Sequence, residues 1–212
     1  MIGAGLLTVA LAGARLGVAL EGGADLPSAH DGTAAGLGPG LAIPMRIGVG
    51  RGAELRATFA GYSLTGHDRV EWTEENVLWY SDSHKASFAV GELTVGPEIG
   101  LLPSGRVNPY VGVALGIRAV AGWHSFSGGT ASLREGGDTS ARDTLQLVPA
   151  AGALFGVRVG PSDGVAVELE AGYTVSFLPD VPLGKVPTAL GASRTAFALD
   201  RARMGFGVSF PL

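Results

Sequence analysis

Cysteine is absent from the 212 residues, which excludes disulfides and thiolate metal sites and suits an exported bacterial protein. No apolar run approaches the ~18 residues of a membrane-spanning helix, because Gly, Arg or Glu interrupts each one. Positive charge is not in excess: 15 Lys and Arg stand against 19 Asp and Glu, giving a net charge of −4 and an isoelectric point near 5.5. Without a basic stripe, no nucleic-acid partner is expected. His30, His67, His84 and His124 show no ligand spacing, so neither a metal nor a cofactor is expected. Yet 46% of the residues are hydrophobic and mean hydropathy is +0.32. High hydropathy without a spanning helix is resolved by spreading apolar side chains over every second residue of a closed wall.

That alternation is present in eight stretches. The last is the clearest: Met204, Phe206, Val208, Phe210 and Leu212 share one face, with Arg203, Gly205, Gly207 and Ser209 on the other. Strand one is read near Arg15 to Ala24, strand two around Leu41 to Val49, and strand three from Ala53 to Leu64. Strand four centres on Glu92 to Leu101, strand five on Tyr110 to Trp123, and strand six on Leu147 to Val159. Strand seven runs from Val165 to Phe177. Gly50-Arg51-Gly52, Pro103-Ser104-Gly105 and Pro161-Ser162-Asp163-Gly164 read as tight turns. The other connections are long: 25–40, 65–86, 125–144 and 178–197. Phe88 and Val90 fall on the polar face of strand four, which predicts either a bulge or an apolar upper lumen. The fold class is therefore all-β: an eight-stranded antiparallel up-and-down barrel over 15–212, apolar outside and polar inside. Many of the 35 glycines fall on the inward face, where a narrow barrel needs small side chains. Met1 to Ala12 read like the apolar centre of a secretory signal, with Ala10, Ala12 and Ala14 near a cut. Residues 1–14 are thus expected to be a signal remnant or a short N-terminal segment.

Inward charges form the most specific polar feature. Arg15, Arg46, Arg56, Arg118, Arg158 and Arg203 are matched by Glu21, Glu54, Glu92, Glu98, Glu168 and Glu170. An eight-stranded lumen is barely wider than its own side chains, and an unpaired buried charge costs several kcal/mol, so a neutral, ion-paired plug is expected. Counting from the turns places Glu92 level with Arg118 and Arg158 beside Glu168. Glu21 is expected to meet Arg203 where the barrel closes. Trp123, Tyr173, Phe177, Phe206 and Phe210 read as aromatic girdles. Trp72, Trp79 and Tyr80 lie in the 65–86 connection beside Glu71, Glu74, Glu75 and Asp82. There they either pack on the rim or offer a surface partner an aromatic-acidic patch.

These strands resemble the small eight-stranded bacterial outer-membrane barrels, the group that includes the membrane domain of outer-membrane protein A and its short relatives. The segment Asn108-Pro109-Tyr110-Val111-Gly112-Val113-Ala114-Leu115-Gly116 is similar to one common in that group. Arg203-x-Gly205-x-x-Val208-x-Phe210 resembles the terminal signal read by the barrel-assembly machinery, although here the chain continues to Pro211-Leu212. The resemblance implies a Gram-negative outer-membrane location with short periplasmic turns and long extracellular loops. It also implies outer-membrane lipids, lipopolysaccharide and the assembly machinery as partners. No peptidoglycan-binding domain is expected.

Several functions fit such a barrel. The leading expectation is a non-enzymatic membrane protein with structural or surface-interaction roles carried by its loops, with a narrow ion channel as a variant. A lipid A deacylase or acyltransferase would need a rim serine and histidine in contact with an orienting acid. His124, Ser125 and Ser127, with Asp138 and Asp143, match no such spacing. A soluble lipocalin-like carrier would put its apolar residues inside, the reverse of the polarity read here.

Overall fold

The computed structural model describes residues 14–25, 33–34, 37–74, 77–103, 105–127, 139–142, 145–161, 163–176, 180–182, 196–198 and 200–212. Eight antiparallel strands close into a barrel: β1 (Ala14–Asp25), β2 (Leu37–Gly50), β3 (Ala53–Glu74), β4 (Val77–Gly100), β5 (Val107–Ser127), β6 (Gln146–Val159), β7 (Ala166–Ser176) and β8 (Arg201–Pro211). Each strand pairs with its sequence neighbours, and β8 returns to β1 in a register running from Arg15 opposite Pro211 to Asp25 opposite Arg201. Closure leaves the wall without an exposed edge.

Period-two alternation sets the two faces. Leu20, Leu115 and Leu147 are each more than 60% exposed on the outer wall, while Arg46 and Arg118 are fully buried inside it. Val113, Val167 and Leu169 are also exposed, whereas Arg118 and Glu168 are enclosed, so the sidedness read from the alternation is the sidedness of the barrel. Three short turns gather at one end. Arg51 and Gly52 join β2 to β3, and Gly52 adopts φ 74°, a left-handed conformation that suits glycine. The Gly100 N–H donates to the Gly52 carbonyl at 2.6 Å, tying this turn to the end of β4. The β4–β5 turn is held by Gly105 N–H to the Leu102 carbonyl, and the β6–β7 turn by Gly164 N–H to the Pro161 carbonyl. Leu212 N–H donates to the Ala14 carbonyl at the same end.

The longest expected connection is a correction. Rather than an irregular loop over 65–86, β3 and β4 continue as a paired hairpin from Thr65 opposite Ser87 to Glu74 opposite Val77, with one irregularity between Asp68 and Val70. The backbone groups there satisfy one another by pairing. The polar, mixed sequence lacks the clean apolar alternation that marked the wall. β5 likewise runs to Ser127, and Thr139–Arg142 pairs with it inside the expected 125–144 connection. β2 begins at Leu37, within the expected 25–40 connection. Short segments Thr33–Ala34, Asp180–Pro182 and Ala196–Ala198 form a small separate sheet.

The phase question in β4 is answered in favour of an apolar upper lumen. The register with β5 runs without a shift from His84 opposite Phe126 to Val95 opposite Leu115. Phe88 and Val90 are therefore genuinely inward, buried together with Ala60, Tyr62, Val120 and Val148.

Candidate functional site

Between this apolar zone and the turns the inward faces carry paired charges. A chain of contacts links all eight strands. Glu21 (β1) pairs with Arg203 (β8), which reaches Glu170 (β7) at 2.9 Å, and Glu170 pairs with Arg56 (β3). Arg56 contacts Glu98 (β4) at 3.2 Å, and Glu98 takes Arg46 (β2) at 3.1 Å. Arg46 grips Glu168 (β7) with two nitrogens, at 3.1 and 2.8 Å, in the planar two-pronged geometry that guanidinium favours. Arg158 (β6) then joins Glu168 at 3.1 Å, Glu98 at 2.9 Å and Glu54 at 3.0 Å. β5 contributes Tyr110, whose hydroxyl donates to Glu170 at 3.1 Å and whose ring lies 5.6 Å from the Arg46 guanidinium and 5.4 Å from that of Arg158. Glu98 is the hub, buried to 2% exposure and shared by three arginines.

A second cluster sits higher. Arg118 donates to Glu92 at 2.7 Å and to the Ser176 hydroxyl at 2.8 Å. Glu92 and Arg118 are direct register partners, as are Arg158 and Glu168, so each pair meets at one height across a ladder. Glu21 and Arg203 meet across the β1–β8 seam. Arg15 stands at the turn end, donating to the Gly164 carbonyl at 2.7 Å and to Ser209.

Sequence reasoning missed Arg201. This residue is buried on β8, with its guanidinium 3.6 Å from the centre of the Tyr62 ring and 3.9 Å from Glu21. The signal was present, since Arg201 lies two residues before Arg203 on the same face. Tyr110 was legible as inward but not as a ring between two guanidiniums. Its space depends on Gly156, where an added Cβ would sit 2.4 Å from the Tyr110 ring.

Free volume separates the ends of the lumen. A vestibule of about 410 Å³ opens among the turns, lined by Arg15, Glu54, Glu98, Asn108 and Arg158. Between the two charge clusters lies a small cavity of about 20 Å³, lined by Arg56, Thr58, Glu92 and Arg203 among others. That is room for a single water.

The other expected residues are placed as follows. Trp123, Tyr173, Phe206 and Phe210 are exposed on the outer wall, and Phe177 lies outside the described residues. Gly205, Val208 and Phe210 of the expected assembly signal lie in β8 with Arg203. His124, Ser125 and Ser127 all fall in β5, and their side chains lie outside the described ones. Asp138, Asp143 and residues 1–13 lie outside the described residues.

No family model matches the chain, and no curated protein sequence matches it. Among solved structures, Neisserial surface protein A aligns with a TM-score of 0.55 at 14% identity, over 94% of this chain and 97% of that one. Ail, the attachment invasion locus protein of Yersinia pestis, in complex with the heparin analogue sucrose octasulfate, aligns with a TM-score of 0.49 at 12% identity, over 93% and 96% of the two chains. The first likeness establishes the fold, that of the small eight-stranded outer-membrane barrels.

Proposed function

We propose that a chain with this fold works as a non-enzymatic integral protein of a bacterial outer membrane, its lumen closed by ion pairs and its interactions carried by the strands that project past the barrel. The inverted sidedness carries the reading: arginines fill the interior while leucines and phenylalanines coat the exterior. So much exposed apolar surface would aggregate a soluble monomer but is what lipid requires. The eleven residues of β8, at about 3.4 Å each and tilted by about 45°, rise about 26 Å, close to the height of the lipid-facing band of such barrels. Short turns on the periplasmic side and projecting strands outside follow the family pattern.

The enzyme reading is weaker because the spacing of His124, Ser125 and Ser127 with Asp138 and Asp143 matches no catalytic arrangement of nucleophile, base and orienting acid. A carrier would need an apolar interior, and twelve of the lumen positions are charged by sequence. The channel variant is decided in planar bilayers. The purified, refolded chain should give no discrete conductance steps, because buried, mutually paired arginines and glutamates from all sides of the wall occupy the lumen. Reproducible unitary steps would overturn the plug.

A further inference from the structure

Two adjacent glycines in β1 have different reasons to be there. Gly23 faces the lumen, where an added Cβ would collide with the Arg201 guanidinium, so nothing larger fits. Gly22 faces outward and is exposed, its backbone is not left-handed, and a Cβ built on it would meet nothing within 4 Å. Neither packing nor backbone conformation calls for glycine at position 22. A glycine inside a strand weakens it, and such a position marks a place where another molecule or backbone comes close.

Strand register supplies the surroundings. Gly22 stands between Pro39 of β2 and Met204 of β8, and the next outward row toward the turns is Leu41, Leu20 and Phe206. Those three large side chains are exposed, whereas the row beyond them is bare at its centre. The result is a groove of about 540 Å³ bordered by Pro39, Ala202 and Met204, with the Gly22 backbone as its floor. Behind that floor, on the lumen side of the same strands, Glu21 pairs with Arg203, and Arg201 lies over the Tyr62 ring. The groove is therefore backed by packed side chains.

We propose that this groove seats one acyl chain of a bilayer lipid, laid against β1 between Pro39 and Met204. The inference rests on the membrane reading above. The groove continues the exposed aliphatic wall, so a lipid chain enters it without leaving the lipid phase. The two charged residues of its lining, Glu21 and Arg203, are spent on each other inside the barrel, which leaves the open side apolar. A second copy of this chain is a poor occupant: a stable protein interface takes ~20–30 residues a side, and eight described residues line this groove.

The test is native mass spectrometry of the full chain, inserted into vesicles of phosphatidylethanolamine and phosphatidylglycerol and released in mild detergent. The wild-type chain is expected to retain one diacyl lipid. Gly22→Leu fills the groove from its floor and should lower the lipid-bound fraction about tenfold or more. Gly91→Leu, at an outward glycine equally open to a Cβ but outside the groove lining, should leave that fraction unchanged. Inserted wild-type chain that retains no lipid overturns the seat, and so does an equal loss in Gly91→Leu. An adduct with the mass of a free fatty acid or of a second chain overturns it as well. A chain that never enters the vesicles overturns the membrane reading and the seat with it, so the two failures are told apart by insertion.

Discussion

Glu98 concentrates the energetics of the lumen in one side chain, because Arg46, Arg56 and Arg158 all converge on it. Removing a partner from a buried ion pair leaves charge uncompensated, which costs about 3–5 kcal/mol. Glu98→Ala is expected to lose stability on that scale in urea unfolding from detergent micelles. A loss below about 1 kcal/mol would show that the arginines find other partners. Glu92 and Arg118 test pairing differently. Glu92→Ala should destabilise the barrel, whereas adding Arg118→Ala should cost little more, since the second change removes the orphaned charge. Additive losses would contradict the pair. Such partners were legible in the sequence because a tight turn fixes register, and register fixes height. Arg201 over Tyr62 was not, because that contact crosses the lumen between strands distant in the sheet, which no count from a turn can supply.

Among the elements, β4 carries two environments on one inward face. Its lower half presents Glu92 and Glu98 to guanidiniums, and its upper half carries Phe88 and Val90, buried in the zone that also buries Tyr62, Val120 and Val148. Truncating an enclosed aromatic ring costs about 3–5 kcal/mol where neighbours do not collapse. Phe88→Ala should therefore destabilise the refolded barrel by about 3 kcal/mol, and an unchanged unfolding midpoint would mean that the upper lumen is not packed. The wall portions of every strand could be read from alternation, since lipid on one side and charge on the other force period two. The 65–74 and 77–86 arms could not: beyond the wall no lipid selects the outward residues, so paired strands there read as a loop.

Taken whole, the molecule is a protein interior turned inside out, and the account rests on lipid being what its aliphatic surface touches. The cysteine-free chain permits single nitroxide labels without background. Placed at Leu115→Cys, Leu169→Cys and Phe206→Cys, exposed outward positions of three strands, the labels can be compared with Arg51→Cys at a turn. The decisive measurement is their relative collision rates with oxygen and with a water-soluble nickel chelate in reconstituted bilayers. The wall labels should favour oxygen strongly and the turn label the chelate; wall labels as open to the chelate as position 51 would contradict the membrane assignment.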